Sequence, residues 1–287
     1  MRIPPWPCRD PAEPCPHAPP NVSGVPGASS LPAIGVAELE RLTAQSWRGL
    51  EEQAYGDWVL RAGGGFTGRA NSVLVLGDPP AAGGLSTAVA AVTSWYLERG
   101  LQPRAQVPMP GGDSADAAFD AAGWARDEDV LVLTADIADW ADWPAPEVAV
   151  DLAPLPDDAW LAGYRYRGTP LPPIAYDVLV SADGPVFASI RLDPAPAPLA
   201  AVARGAVVQG WLTITAVTVD ERYRRRGLAT AVMAGLGAWG REEGAHSCVL
   251  QVASSNAPAL ALYERLGFTE HHRYHYRLGA GPKRRPH

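Results

Sequence analysis

A strand pattern, a glycine turn and a helix pattern follow one another directly, and this order constrains the fold more than any other feature. Residues Trp211–Val219 are rich in Val, Ile and Thr, which favours a half-buried strand. From Leu228 to Trp239, apolar residues then recur every three or four positions, as on one face of a helix. The sequence therefore predicts a strand that turns through Gly227 into a helix over residues 228–242.

The turn, Arg224-Arg225-Arg226-Gly227, is suited to binding an anion. The first N–H groups of a helix have no partner inside the helix and carry the positive end of its dipole. Three arginines add fixed charge, and Gly227 lets the backbone approach a phosphate closely. A Walker loop would need Lys-Ser or Lys-Thr after its last glycine, and a Rossmann turn would need three spaced glycines; neither is present. We expect a pyrophosphate site, the alternative being a solvated, arginine-rich helix start.

A second motif, Asn-Ala-Pro-Ala-Leu-Ala-Leu-Tyr-Glu-Arg-Leu-Gly-Phe, occupies residues 256–268. Asn256 suits a helix N-cap, Pro258 the first turn and Gly267 the exit. Gly244 suits the end of the preceding helix, and a short buried strand over 248–252 separates the two helices. The chain then alternates as a last strand over 273–278.

Together these motifs resemble the acetyl-CoA-binding half of the GNAT superfamily of N-acetyltransferases. The loop pattern of that superfamily (Arg or Gln, two residues, Gly, one residue, Gly or Ala) is filled by Arg224, Gly227 and Ala229, and the second motif ends in the matching Leu-Tyr-x-x-x-Gly-Phe. The resemblance covers residues 205–278. It implies an α/β (α+β) fold and an enzyme that moves an acetyl group from acetyl-CoA to a primary amine by direct attack, without a metal. The implied acceptor is a small metabolite or an amine of a protein or peptide.

The resemblance also assigns roles to residues. The backbone of residues 217–219 would pair with the pantetheine arm and turn one N–H towards the thioester oxygen. Asn256 would contact the same arm, and Tyr263 would be the general acid, unless it only packs. The expected cofactor-binding residues are Val217, Thr218, Val219, Arg224, Arg225, Arg226, Gly227, Leu228, Ala229, Thr230, Asn256, Ala259 and Tyr263.

The general base is open, because the predicted strand 211–219 contains no carboxylate. Asp220 follows that strand and belongs to the turn as readily as to a site. His271, His272, Tyr274 and His275 cluster near the last strand, and histidine titrates in the useful range. A solvated role explains each histidine at least as well, and a bound water or the amine itself at mildly alkaline pH is a further alternative.

The first half of the chain repeats the spacing of the second. Residues 144 positions apart correspond at turn and cap positions, as Gly83 does to Gly227 and Gly100 to Gly244. We interpret the chain as two tandem GNAT-like units, each a mixed central sheet flanked by helices. Two unrelated α/β segments of similar spacing are the alternative.

The first copy lacks the residues that chemistry would need. Pro80, Gly112 and Phe119 stand where the second copy has the first loop arginine, the N-cap asparagine and the tyrosine. We therefore expect the first copy not to bind CoA but to wall one side of the substrate cleft. Residues 55–72 resemble a segment of actinobacterial two-part GNAT proteins in which the C-terminal unit carries the cofactor. In that segment Thr67, Arg69 and Asn71 either reach the substrate or are structural.

The predicted domain organisation has five parts. They are a disordered Pro-rich leader over 1–33, a degenerate GNAT-like unit over 34–135, a linker over 136–156, a catalytic GNAT unit over 157–280 and a tail over 281–287. The first unit is predicted to contain helices over 36–55, 85–99 and 115–122 and strands over 57–61, 72–76, 105–107 and 130–134. The second is predicted to open with a helix over 157–164 and a hairpin of strands 177–181 and 186–192.

Composition restricts the partners. The formal net charge of −7 and the short basic clusters at 222–226 and 283–285 argue against a nucleic-acid partner and lean towards a cationic substrate. No apolar run is long enough to cross a membrane and no secretory signal is present, so we expect a cytoplasmic monomer or homodimer. Cys8, Cys15 and His17 lie in the leader without a metal-binding pattern. A non-catalytic acetyl-CoA sensor is the alternative function.

Overall fold

The structure is a computed structural model that describes residues 31–80, 83–138, 140, 143, 147–166, 168–194 and 196–282. The predicted leader lies outside the described residues except for its last three positions, and so do Cys8, Cys15 and His17. Most of the predicted tail, with its basic cluster, lies outside them as well.

Strands and helices alternate along most of the chain. In order, the strands are β1 Glu51–Tyr55, β2 Trp58–Ala62, β3 Val73–Leu74, β4 Arg104–Met109, β5 Ala125–Asp136, β6 Asp151–Ala153, β7 Val186–Ile190, β8 Ala201–Val208, β9 Trp211–Val219, β10 Ser247–Ala253 and β11 Thr269–Leu278. The helices are α1 Val36–Ser46, α2 Gly84–Glu98, α3 Asp113–Ala121, α4 Asp158–Gly163, α5 Ala175–Leu179, α6 Leu228–Glu242 and α7 Ala257–Arg265. No helix in these ranges is long and apolar enough to span a membrane.

The tandem repeat predicted from the sequence is confirmed by the order and bounds of these elements. Helix α6 begins and ends 144 positions after α2, and α7 does the same relative to α3. Both α2 and α6 start from a left-handed glycine, Gly83 with φ 93° and Gly227 with φ 76°. In each unit the strand before the long helix runs parallel to the strand after it, β3 with β4 and β9 with β10. Each unit is thus the same strand–helix–strand–helix–strand arrangement.

The two units exchange their last strands. Within the described residues one mixed sheet has the order β1-β2-β3-β4-β11-β5-β10-β9-β8-β7-β6. Strand β5 of the first unit pairs antiparallel with β10 of the second, and β11 of the second pairs antiparallel with β4 of the first. Strands β5 and β11 also pair with each other at the centre. The units therefore share one continuous sheet.

The second half of the sheet is covered on both faces. On one face, Leu212 and Ile214 of β9 belong to the same core as Val232 and Leu236 of α6. On the opposite face, Trp211 of the same strand packs with Leu39 and Leu42 of α1. Because successive side chains of a strand point to opposite faces, these two cores identify the faces of the β9 residues from Trp211 to Thr215. We call them the α6 face and the α1 face.

Two secondary-structure predictions were wrong. The helix expected over 36–55 ends at Ser46, and Glu51–Tyr55 forms β1, because the turn at Gly56 (φ 62°) folds it onto β2 as a hairpin. The strand expected over 177–181 is helix α5 instead. Its start after Pro172 and Pro173 explains this, since proline presets the φ of a helix's first turn. The true partners of β7 are β8 and β6, and β6 lies within the predicted linker.

Candidate active site

A gap opens in the sheet between two parallel strands of the second unit. Pairing of β9 with β10 runs from Trp211 opposite Ser247 to Ile214 opposite Leu250 and extends no further. Beyond that point β9 continues to Val219 paired with β8, while β10 continues to Ala253 paired with β5. The strands therefore diverge, and the backbone edges that face each other across the gap have no ladder partner there.

A bulge in β9 marks the start of the gap. The register between β8 and β9 shifts between Val202 and Arg204, which places one extra residue in β9. Ala216 takes a left-handed φ of 58°, a conformation that non-glycine residues adopt rarely. Beyond the bulge, Val217 and Val219 pack against the α6 core. The bulge thus bends β9 away from β10 and sets the direction of the backbone of residues 217–219.

The predicted anion turn connects the end of β9 to α6. A short 3₁₀ helix, Glu221–Tyr223, leads into Arg224, Arg225 and Arg226, whose side chains are all exposed. Arg224 donates to Glu221 at 3.3 Å, and the guanidinium of Arg226 lies 5.5 Å from the ring centre of Tyr223. Within the described residues Arg225 has no ion pair or hydrogen bond, and its backbone is left-handed, with φ 61°.

Helix α6 presents its N-terminus at this turn. The carbonyl of Gly227 accepts from the N–H of Ala231, so the intervening N–H groups of Leu228, Ala229 and Thr230 have no partner inside the helix. The side chains of Leu228 and Thr230 are buried beneath them, so these residues offer only their backbone to a ligand. Exposed arginines and free N–H groups together form an anion site of the kind that the sequence predicts.

Helix α7 borders the gap on the α6 face. Asn256 caps its start, as predicted, by accepting from the N–H of Ala259 at 3.3 Å. Tyr263, about two helical turns further on, is 8% exposed and packs against Phe268 with ring centres 5.7 Å apart. Burial raises the pKa of Tyr263 to about 12. Its hydroxyl therefore stays protonated at neutral pH and can give a proton to a stronger base.

These elements enclose a cavity of about 260 Å³. From β9 and β10 it is lined by Ile214, Thr215, Ala216, Val217, Thr218, Leu250, Gln251, Val252 and Ala253, and from α7 by Asn256 and Tyr263. The remaining lining residues are Arg69, Tyr164, Arg165 and Tyr166. Residues from both faces of the sheet appear together, so the cavity passes through the gap from the α6 face to the α1 face.

Comparison with known proteins identifies the family. The family described as "Probable histone acetyltransferase Rv0428c C-terminal" matches residues 35–277. Among curated proteins, "Probable histone acetyltransferase Rv0428c" of Mycobacterium tuberculosis is 30% identical over 252 residues, which is 84% of this chain and 73% of that protein. The chain belongs to this family. It is an acetyltransferase of the GNAT superfamily.

Solved structures show the same fold. The GCN5-related N-acetyltransferase from Kribbella flavida superposes with a TM-score of 0.61 at 17% identity, covering 87% of this chain and 97% of that one. A tandem GNAT protein from the clavulanic acid biosynthesis pathway gives a TM-score of 0.55 at 18% identity, covering 74% of each chain. The tandem architecture of the chain is thus shared with another two-unit GNAT fold.

Among its described residues, the first unit of this GNAT protein reaches the cavity through one side chain. Arg69 lines the cavity and donates to Gln251 of β10 at 3.1 Å. Asn71, by contrast, holds its own loop: its carbonyl oxygen accepts from the N–H groups of Gly63 and Gly65, both at 2.8 Å. The hydroxyl of Thr67 accepts from the indole of Trp47. Of the three residues that the sequence offered here, only Arg69 is placed to meet a substrate.

The histidines near β11 lie away from the cavity. His272 is buried and bonded to Glu40 at 2.9 Å, and His271 to His272 at 2.8 Å. His275 pairs with Asp116 of the first unit. Asp220 is engaged by Arg222. The described cavity residues include neither a carboxylate nor an imidazole, and the described part of the chain holds no group of three or more potential metal ligands.

Sequence reasoning missed much of the cavity wall. It named Val217, Thr218, Asn256 and Tyr263, which line the cavity, and Val219 and Ala259, which pack against the α6 core beside it. It did not name Thr215, Gln251 or the Tyr164-Arg165-Tyr166 segment, which line the cavity, or Arg204, which is fully buried opposite Thr215. The position of Gln251 within the otherwise apolar run 248–253 was the one local signal, since a polar side chain there faces either solvent or a site.

Proposed function

We propose that this acetyltransferase uses acetyl-CoA to acetylate a primary amine at the gap between β9 and β10. The observation that carries the proposal is the position of the gap: it opens beside the free N-terminus of α6 and the exposed arginine turn. A single elongated ligand with a phosphate group at one end and amides along its arm fits both features. Acetyl-CoA has this chemistry, and it supplies the acetyl group as a thioester.

The chain offers a separate contact for each part of that ligand. The N–H groups of Leu228, Ala229 and Thr230 and the side chains of Arg224, Arg225 and Arg226 suit the pyrophosphate. The free backbone edge of residues 217–219 suits the amides of the pantetheine arm, which would add to β9 as an extra strand does. Asn256 lies at the opposite wall of the gap.

The transfer then needs few groups from the protein. The lone pair of a neutral amine attacks the thioester carbonyl carbon, the carbon–sulfur bond breaks, and the sulfur leaves with the electron pair. We assign Tyr263 to donate its phenolic proton to that sulfur, and the proton lost by the amine nitrogen restores the hydroxyl through water. A backbone N–H in 217–219 would hold the carbonyl oxygen. No described side chain of the cavity is placed to act as a base, so the amine loses its ammonium proton to water.

We further propose that residues 34–135 form a non-catalytic unit. In its copy of the site Phe119 replaces the tyrosine; it is completely buried and stacks on Trp58 with ring centres 5.8 Å apart. Pro80 replaces the first loop arginine and has no N–H to donate. The contribution of this unit to the site is then the wall that carries Arg69, and residues 157–280 carry the cofactor.

Calorimetric titration with acetyl-CoA, CoA and ATP tests the proposal. Wild type should bind acetyl-CoA and CoA with affinity on the order of micromolar and should bind ATP weakly. Gly227→Glu places a carboxylate against the pyrophosphate and should abolish binding of both CoA ligands. Gly227→Gln is the matched control, because it imposes the same left-handed strain and similar bulk without the charge.

The pair of variants separates two explanations of a weaker affinity. Loss in Gly227→Glu with at least tenfold tighter binding in Gly227→Gln indicates repulsion of a phosphate. Equal loss in both variants indicates that only the shape of the turn was damaged. Undiminished acetyl-CoA affinity in Gly227→Glu, with the fold intact by circular dichroism, would remove the turn from the site.

A further inference from the structure

We propose that the acetyl acceptor carries a carboxylate near its amine, and that Arg69 binds this carboxylate on the α1 face of the gap, with the buried guanidinium of Arg204 adding positive charge behind it. The inference rests on the proposed function and specifies its substrate class as a small zwitterion of the amino-acid type. The group of residues that carries it comprises Trp47, Arg69, Arg204 and Thr215, and we call it the two-arginine cluster.

The cluster lies on the sheet face opposite the proposed general acid. Thr215 is on the α1 face, since Ile214 beside it points into the α6 core. Arg204 of β8 is directly opposite Thr215 of β9, so their side chains share that face. Gln251, adjacent to Leu250 of the α6 core, is on the α1 face as well. An acceptor held there would meet the thioester through the gap.

Arg204 is buried with part of its charge unsatisfied. The residue has no exposed surface; its Nε donates to the carbonyl of Leu179 at 2.7 Å, and neither of its terminal nitrogens has a partner among the described residues. Burial, with the positive charge of Arg69 as a smaller cause, lowers the pKa of Arg204 to about 9. Buried guanidinium groups are normally paired with an anion, and no described residue supplies one here.

Thr215 provides a second unpartnered group at the same place. It is 7% exposed and lines the cavity, yet its Oγ1 has no hydrogen-bond partner among the residues described. Thr213, two positions earlier on the same face, donates its hydroxyl to the carbonyl of Ala206 at 3.1 Å. The strand therefore satisfies a buried threonine hydroxyl where no ligand is expected, and leaves one free at the cavity.

Arg69 completes the cluster from the first unit. The indole of Trp47 contacts both arginines, with the guanidinium carbon of Arg69 at 4.8 Å and that of Arg204 at 5.1 Å from its ring centre. Gln251 turns its amide oxygen to Arg69 because its amide nitrogen donates to Thr43 at 3.2 Å. The protein thus holds two cations beside one neutral ring, and the cavity lining described here adds Arg165 but no acidic residue.

The chemistry of this charge pattern favours a small acid. A planar carboxylate matches the paired N–H groups of guanidinium, and a cavity of about 260 Å³ suits a metabolite better than a protein segment. Two nearby positive charges also disfavour the ammonium form of the bound amine and lower its pKa. That effect supplies the neutral nucleophile in a cavity whose described residues contain no base.

Matched acceptors test the proposal directly. Free CoA release from acetyl-CoA is measured with L-amino acids, the corresponding amino-acid amides, and lysine-containing peptides with blocked termini. We expect each acid to be acetylated with kcat/KM at least tenfold above its amide, mostly through a lower KM. Equal or faster acetylation of the amides or of the blocked peptides would overturn the carboxylate assignment, as would no turnover of any acid by a protein that binds acetyl-CoA.

Variants assign the effect to the cluster. Arg69→Gln should raise KM for the acids at least tenfold, lower kcat/KM for the amides by a clearly smaller factor, and keep acetyl-CoA affinity by calorimetry; Arg69→Lys should recover part of the loss. Arg273, the exposed partner of Glu270, is the matched control. Arg273→Gln removes an equal charge and should change neither the KM for the acids nor the acetyl-CoA affinity. A loss of acid selectivity in Arg273→Gln equal to that in Arg69→Gln would refute the subsite. Absence of acetyl-CoA binding by wild type would instead refute the proposed function.

Discussion

The unpartnered hydroxyl of Thr215 leads to a prediction that runs against the usual effect of core substitutions. Leaving a buried hydroxyl without a hydrogen bond costs about 1–3 kcal/mol, whereas a methyl group of the same shape carries no such cost. Thr215→Val should therefore stabilise the ligand-free protein by about 1 kcal/mol or more. For a domain of this size, that corresponds to a rise of about 2–4 °C in Tm.

Thr213→Val is the matched control, because Thr213 lies on the same strand and face and is buried to 2% exposure. Its hydroxyl is bonded to the carbonyl of Ala206, so valine there should destabilise the protein by about 1 kcal/mol. Urea unfolding followed by tryptophan fluorescence measures both changes on one scale. Equal destabilisation by the two valines would show that the hydroxyl of Thr215 does have a hydrogen-bond partner in the free protein. That result would contradict the assignment of a free hydroxyl at the cavity.

The remaining predictions concern catalysis, pH and packing. Tyr263→Phe should bind acetyl-CoA normally and lower kcat on the order of 10²-fold; a wild-type kcat would remove it as the acid. Hydrogen bonding by Arg277 lowers the pKa of Asp116 to about 2. The ionised carboxylate therefore stabilises the fold by about 2 kcal/mol above about pH 4, and this contribution is lost as the pH falls towards 2. Urea titrations at several pH values should show this loss in wild type and not in Asp116→Asn. Gly237→Ala would place a Cβ 2.3 Å from the buried ring of Trp140. It should lower stability by about 1–3 kcal/mol in the same assay, and an unchanged Tm would show that the ring can move aside.

Much of the second unit is predictable because its signals are local. The β-branched run of β9, the glycine before α6 and the Asn-x-Pro start of α7 each specify an element without reference to distant residues, and all three predictions are confirmed. The errors at β1 and α5 have the opposite cause. The spacing of Trp47 and Leu50 continues a helical pattern, but pairing of residues 51–55 with β2 overrides it. At α5 the cause is length, because one turn of helix is too short to show a period.

Other features depend on segments that lie far apart in the chain. Strands β5 and β11 carry similar patterns, and nothing in either pattern indicates that each pairs with the other unit. Likewise Arg69, Arg204 and Thr215 come from three segments, which only the completed sheet places beside one cavity. The anion turn, Tyr263 and Arg69 could be proposed from sequence motifs, whereas Arg204, Thr215 and Gln251 could not.

The position of β11 has a consequence for how this protein is made. The ribosome synthesises residues 269–278 after the other ten strands, yet β11 occupies a place in the middle of the sheet, between β4 and β5. Until it is inserted, β4 and β5 each leave one hydrogen-bonding edge open, and these edges flank buried residues such as Val107 and Val132. Open edges of this kind invite pairing with other chains. We therefore expect a nascent chain stalled before residue 269 to aggregate more readily than the full chain.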